Sequence, residues 1–246
     1  MACKVCGCES TIRAHLIPKC FVNEVKTEKN QSGIIIDRNG KEYKRTPSGT
    51  FDSNLICAKC DSGLGTYENH VYDILKEIRS GKPPVGSVCR SNRMNQDLFI
   101  RFATGICWKF ANTEPRLGKI TVQSYESVLK NVAFHSESIP INLDLYCSFM
   151  RFPDCDVYWY QHPYTTRING VNCIRFSVGS VIFILQVDRR CLVSRKQAEI
   201  LSFRKAAQSH IPVIEYSAFE DWDQFRSSYS KSGSAKFFSS FKKIQT

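Results

Sequence analysis

The chain has 246 residues, a mass of 28.1 kDa and 12 cysteines, with 34 Lys+Arg against 23 Asp+Glu for a formal charge of +11. Its 42% hydrophobic and 23% charged residues exclude a disordered or collagen-like polymer, and the length suits one large domain or two small ones with a real core. No apolar run approaches the ~18 residues of a membrane-spanning helix. The start, Met1-Ala-Cys-Lys-Val-Cys-Gly-Cys8, lacks the basic stretch and apolar core of a secretory signal, so a cytoplasmic chain is expected.

In that compartment the cysteines serve metal ligation or buried packing rather than disulfides, and the positive charge makes a polyanion a plausible partner. Cys3-Lys-Val-Cys6 opens the chain with a CxxC pair. Gly33 to Lys44 reads as two strands joined by Asn39-Gly40, a dipeptide that supplies the positive φ angles of a tight hairpin. A second pair, Cys57-Ala-Lys-Cys60, precedes a helix whose Val71, Ile74, Leu75 and Ile78 fall on one face. Pro83 and Pro84 stop that helix, so a boundary is expected near residue 80, dividing 1–80 from 81–246.

Beyond the boundary, Asp97 to Asn112 reads as a helix with Phe99, Phe102, Ala103, Ile106 and Phe110 on one side. Strands are expected at Leu143 to Phe152, Val157 to Gln161, Val171 to Val178 and Val181 to Val187, with Gly179-Ser180 as a two-residue turn. Ser194 with Gln197 is a capping box opening a helix through about Ala207. Strands followed by a helix predict an α+β domain with an antiparallel sheet.

Charge is uneven along the chain. Residues 1–80 hold 12 Lys+Arg and 10 Asp+Glu (net +2), whereas residues 81–246 hold 22 and 13 (net +9). The last twenty residues carry Lys231, Lys236, Lys242 and Lys243 and no acid, interleaved with Phe237, Phe238 and Phe241. A solvated tail and a phosphate-contacting arm with stacking rings both fit. Arg189, Arg190, Arg195 and Lys196 flank a strand-to-helix connection and are further candidates for phosphate contacts. Trp108 and Lys109 are also possible DNA contacts, with core packing the default for the tryptophan.

The specific chemistry lies in the first eighty residues. A CxxC turn points two thiolates at one metal, and two such turns, Cys3/Cys6 and Cys57/Cys60, complete a closed tetrahedral site for structural zinc. Reduced or redox-active thiols are the alternative use. Cys8 and Cys20 form no such pair and stay outside the set.

Between the pairs lies Arg13-Ala-His-Leu-Ile-Pro-Lys-Cys-Phe21, and the second pair sits in Leu55-Ile-Cys-Ala-Lys-Cys-Asp61. Over residues 3–75 this combination resembles the HNH (ββα-metal, treble-clef) nucleases, in particular bacterial members with SHIIPK-like and LLCxxCE-like segments. The resemblance implies an N-terminal zinc-bound treble-clef module, here followed by the α+β domain. It implies His15 as the general base that takes a proton from the attacking water. It also implies Asp52 as the residue that orients it, with Asn54 as substitute if the register slips.

Asp61 would bind a divalent Mg²⁺ or Mn²⁺ ion bridging to the scissile phosphate, and Glu68, two turns along, is a further possible ligand. Ala14 stands where many members carry a second acidic ligand. The resemblance further implies an endonuclease acting on DNA or another nucleic acid, with antiviral defence beside a companion ATPase or sensor protein. The residues also permit plainer uses: His15 packed beside Leu16 and Ile17, and Asp61 favouring a helix N-terminus. They permit a different protein class as well, a non-catalytic zinc-dependent nucleic-acid-binding or adaptor subunit.

Overall fold

The computed structural model describes residues 1–24, 33–36, 43–46, 48–151 and 160–215. The N-terminal part begins with β1 (Ala14–His15), the short helix α1 (Lys19–Glu24), and the strands β2 (Gly33–Ile36), β3 (Tyr43–Thr46) and β4 (Phe51–Asp52). β1 pairs antiparallel with β4, His15 opposite Phe51 and Ala14 opposite Asp52. β2 and β3 form the expected antiparallel pair, Gly33 opposite Thr46 and Ile36 opposite Tyr43. The Asn39-Gly40 turn between them lies outside the described residues, as does the lysine-rich tail with Lys231, Lys236, Lys242 and Lys243.

Helix α2 (Ala58–Ser80) follows directly from the second cysteine pair and buries Leu64, Val71, Ile74, Leu75 and Ile78, the face its periodicity predicts. It ends before Gly81, with Pro83 and Pro84 beyond. Next come β5 (Val88–Cys89), α3 (Gln96–Asn112), a 3₁₀ turn at Pro115–Leu117 and α4 (Tyr125–Phe134). The sheet strands are β6 (Leu143–Arg151), β7 (Gln161–Ile168), β8 (Val171–Val178) and β9 (Val181–Val187), followed by α5 (Arg195–Leu201) and β10 (Ile211–Glu215). Of the strand expected at Val157 to Gln161, only Gln161 lies in a described strand, where it opens β7. Among the described residues no helix is long and apolar enough to cross a membrane.

The large sheet has the order β5-β10-β6-β9-β8-β7. All its pairs are antiparallel except β10 with β6, which are parallel. The sheet is therefore mixed, a correction to the antiparallel expectation. The parallel partner arrives about sixty residues later in the chain, and no local pattern announces it. β8 and β9 are buried on both faces along most of their length, as near-continuous apolar strands require. β7 alternates buried and exposed and forms the edge.

The turn between β8 and β9 has positive φ at both Gly179 (56°) and Ser180 (64°), the twist a two-residue hairpin demands. Helix α5 is capped as predicted, the Ser194 hydroxyl accepting from Gln197 N–H while the Gln197 side chain answers the Ser194 N–H. It stops at Leu201 rather than near Ala207. Ser202 is buried and donates to the Asp144 carboxylate at 2.9 and 2.7 Å, while its oxygen accepts from the N–H groups of Arg204 and Lys205. Such side-chain-to-backbone bonding competes with continuing the helix.

Helix α3 joins the two halves. Twelve of its seventeen residues are buried, the mark of a helix apolar all round and enclosed by other elements. Phe102 lies 5.8 Å from Phe21 of α1 on one side and 5.6 Å from Phe183 of β9 on the other. Gly105 lets α2 approach, since a Cβ there would meet Leu64 Cδ2 at 3.1 Å. One hydrophobic cluster runs from Cys3 to Val213, so the apolar core is continuous across the boundary expected at residue 80.

Candidate functional site

The first cysteine pair is shaped by its own backbone. Gly7 N–H bonds the Cys3 carbonyl at 2.8 Å, and Cys3 N–H bonds the Cys8 carbonyl at 2.8 Å. Gly7 turns the chain at φ +77°, a conformation that favours glycine. The second pair opens α2, with Cys57 as its N-cap residue. Cys57 N–H points at Cys3 Sγ from 3.3 Å, which ties the two pairs together.

The sulfurs converge. Cys3 Sγ lies 3.8 Å from Cys60 Sγ, and Cys6 Sγ lies 3.7 Å from Cys57 Sγ. Zinc–sulfur bonds of about 2.3 Å give a tetrahedral S···S edge of about 3.8 Å, so these separations match a zinc-sized tetrahedron. Cys8, left out by the CxxC pattern, also belongs here: the ligand atoms of Cys3, Cys6, Cys8 and Cys57 all lie within 4.8 Å of one another. Those four thiols could hold a metal ion; Cys60, expected in the set, lies outside this mutual group although its sulfur is close to that of Cys3. Cys57 is its most acidic member, held down to about 6 by the backbone N–H of Cys60 at the helix start. Bonding to Cys57 raises Cys8 to about 11. Cys20, outside the group, is raised to about 11 by burial.

His15 stands on β1, half-buried, with Phe51 at 6.4 Å edge-on. Its Nε2 lies 3.0 Å from the carbonyl oxygen of Ser48. A carbonyl only accepts, so Nε2 carries the proton and Nδ1 keeps its lone pair. Burial lowers the imidazole pKa; the Ser48 carbonyl opposes this, while Lys109, Lys19 and Arg13 add to it. The ring is therefore a neutral base at neutral pH.

Asp52 does not orient this ring. By register it faces away from His15, opposite Ala14. Its buried carboxylate accepts from Asn54 N–H at 2.8 Å and from the Thr113 hydroxyl at 2.7 Å. The orienting contact falls instead to the Ser48 carbonyl. Asp52 ties the β4 turn to the end of α3, and the backbone N–H is what Asn54 contributes.

Asp61 lies in the first turn of α2. Burial raises its pKa, with Lys109 opposing, Glu68 adding and His15 opposing. These four groups thus share one electrostatic neighbourhood. Glu68, two turns along α2, is paired: Lys109 Nζ donates to Glu68 Oε1 at 3.0 Å and to the His15 carbonyl at 2.9 Å. Lys109 is 1% exposed and Trp108 equally so, with its ring 4.8 Å from Phe134, so neither offers DNA a surface contact.

The groups expected to hold Mg²⁺ or Mn²⁺ therefore do not fit that ion as arranged. A divalent ion about 4 Å from an ammonium meets on the order of 8 kcal/mol of repulsion at an effective dielectric constant of about 20. One of the two carboxylates is already engaged.

The basic residues expected to bind phosphate are divided. Arg190 donates to the Asp188 carboxylate through Nε (3.1 Å) and Nη2 (2.7 Å), which holds that carboxyl far below its usual range. Arg195 pairs with Glu199 at 3.5 Å. Arg189 and Lys196 are exposed and have no ion-pair partner among the described residues. Lys236, Lys242 and Lys243 lie outside the described residues.

Arg190 lies away from the end of β7 that meets the N-terminal part. His162 at the start of β7 contacts Thr50 beside β4, with Nε2 3.4 Å from the hydroxyl. Arg190, by contrast, reaches Gly170 past the far end of the same strand. At about 3.3 Å per residue the two ends are roughly 20 Å apart.

Two further residues of the site, Ser48 and Lys109, carry no local signal: one acts through its carbonyl, the other lies 94 residues from His15 in sequence. Compared with protein-family models, with curated proteins and with solved structures, the chain finds no significant match.

Proposed function

We propose that this chain hydrolyses phosphodiester bonds in nucleic acid, DNA foremost, in the manner of an HNH (ββα-metal) endonuclease. One observation carries the reading: His15 donates Nε2–H to the Ser48 carbonyl, is kept neutral by its surroundings and retains Nδ1 as an acceptor. In the reaction, water gives a proton to His15 Nδ1 while its oxygen attacks phosphorus; the P–O bond to the leaving oxygen breaks, and that oxygen keeps the electron pair and takes a proton from solvent water. The Asp61 carboxylate offsets the charge of the imidazolium that forms. Zinc held by four of Cys3, Cys6, Cys8, Cys57 and Cys60 supplies folding energy in a closed site and takes no part in the chemistry.

The partner is a nucleic acid, gripped through Arg189, Lys196 and the basic tail. Antiviral defence beside an ATPase or sensor protein is the setting the resemblance suggests. The test is nicking of supercoiled plasmid by purified protein, with and without added Mg²⁺ or Mn²⁺, against His15→Ala and Asp61→Ala. Equal activity in all three proteins defeats the assignment.

A second reading, a zinc-dependent nucleic-acid-binding or adaptor subunit that does not cut, is favoured by the internal engagement of Asp52 with Thr113 and of Glu68 with Lys109. Salt-sensitive DNA binding without nicking under any added cation distinguishes it.

A further inference from the structure

Lys109 is a feature that the resemblance does not account for. Its ammonium is 1% exposed, deep in α3, and Trp108 and Phe110 on either side are buried too, so the helix cannot rotate to release it. A buried charge persists only when paired and hydrogen-bonded. Two of its three protons are accounted for, by Glu68 Oε1 at 3.0 Å and by the carbonyl of His15 at 2.9 Å. Asp61, in the first turn of the helix that carries Glu68, also feels the Lys109 charge. The ammonium thus has the contacts a hard cation would make there: a carboxylate from α2, a backbone oxygen from the strand that bears the base, and a second carboxylate nearby.

We infer that the ammonium of Lys109 is the resident cation of this site, occupying by its geometry the place between Glu68 and the His15 strand that a second metal would need. This rests on reading His15, Asp61 and Glu68 as one site. Lys109 is a positioning residue in it: it fixes the backbone of His15, neutralises Glu68 and leaves Asp61 as the one carboxylate to face the imidazolium. A monovalent donor has no coordination number to satisfy, whereas Mg²⁺ demands six oxygens in near-octahedral array.

The experiment measures Mn²⁺ binding to the full zinc-bound chain, by loss of the free Mn²⁺ electron-paramagnetic signal during titration to millimolar concentration. Mn²⁺ prefers oxygen ligands, so the thiol cluster stays silent. The unaltered chain and Lys109→Arg should show no saturable binding. Lys109→Met, of similar length but uncharged, should gain one saturable site that Asp61→Asn in the same background removes. Saturable binding by the unaltered chain that Glu68→Gln or Asp61→Asn abolishes overturns the inference. So does a folded Lys109→Met protein that gains no site.

If Lys109→Met fails to fold, the unaltered chain and Glu68→Gln, which keeps an acceptor for the ammonium, provide the deciding comparison. In parallel, plasmid nicking by the unaltered chain should change little on adding Mg²⁺, and stimulation beyond about tenfold overturns the inference. A chain that never nicks DNA defeats the hydrolase reading, while the Mn²⁺ titration still tests the resident cation independently.

Discussion

At the residue scale the proposed chemistry turns on His15. Its Nε2 is committed to Ser48 and its pKa is lowered, first by burial and further by the positive charges of Lys109, Lys19 and Arg13, with Asp61 the nearby opposing charge. A base whose pKa is lowered stays unprotonated to lower pH. The acid limb of the kcat/KM profile for nicking is therefore expected below 6.5, the ordinary value, and His15→Ala is expected to cost about 10²–10⁴-fold. An acid limb above that value contradicts the geometry. AHLIP between two CxxC pairs is a local pattern, and it is what singles out His15 in the sequence. Asp52 misleads, since a strand of two residues puts neighbours on opposite faces and only the β1–β4 register shows which face belongs to the base. The role of Lys109 is not legible at all, because its partners come from α2 and β1.

At the element scale, the two cysteine turns and the helix they open act as one unit. Cys8, within the group, and Cys60, beside Cys3, are alternative fourth ligands to Cys3, Cys6 and Cys57: either one changed to Ser should leave one zinc per chain. Cys3→Ser or Cys57→Ser should release it, as read by metal analysis of the purified proteins. Chelation should lower the melting temperature sharply, because structural zinc supplies about 10–16 kcal/mol of apparent folding free energy in small modules.

The sheet makes a separate prediction at Gly179. Alanine there would meet strain at φ +56° and would drive its Cβ into the guanidinium of Arg79, which bonds the Gly179 carbonyl and pairs with Glu24. A loss of roughly 1–3 kcal/mol by denaturant unfolding is expected. The spans of α3, β8 and β9 can be read to within a residue because each is a predominantly apolar segment bounded by polar or turn residues. Helix α4 escapes that reading although Leu129, Val132 and Ala133 are spaced for one face. β10 escapes it because Pro212 argues against a strand; the sheet tolerates it next to the two-residue strand β5.

At the scale of the whole molecule, one large apolar cluster of the described residues runs from the cysteine turns to β10, beside a smaller one at Tyr146, Val171, Cys173 and Leu192, with α3 enclosed between the N-terminal part and the sheet. The fragment comprising residues 1–80 is therefore expected to lack fixed tertiary structure even with zinc, seen as poor amide dispersion in NMR spectra, whereas the full chain is well dispersed. Composition and the proline pair suggest a division there, but the contacts that cross it join residues far apart in sequence, such as Lys4 with Asn112 and Thr113 with Asp52. The uneven charge is a sound guide to composition but not to placement, since Arg190 reaches Gly170 past one end of β7 whereas His162, at the other end, meets Thr50 beside β4, roughly 20 Å away.

The most direct measurement of His15-dependent hydrolysis is the rate of supercoiled plasmid nicking by the zinc-bound chain beside His15→Ala, both shown to be folded and to contain equal zinc. Activity in the former and its loss in the latter are expected. Equal nicking by both proteins, or none by either together with salt-sensitive DNA binding, contradicts the assignment.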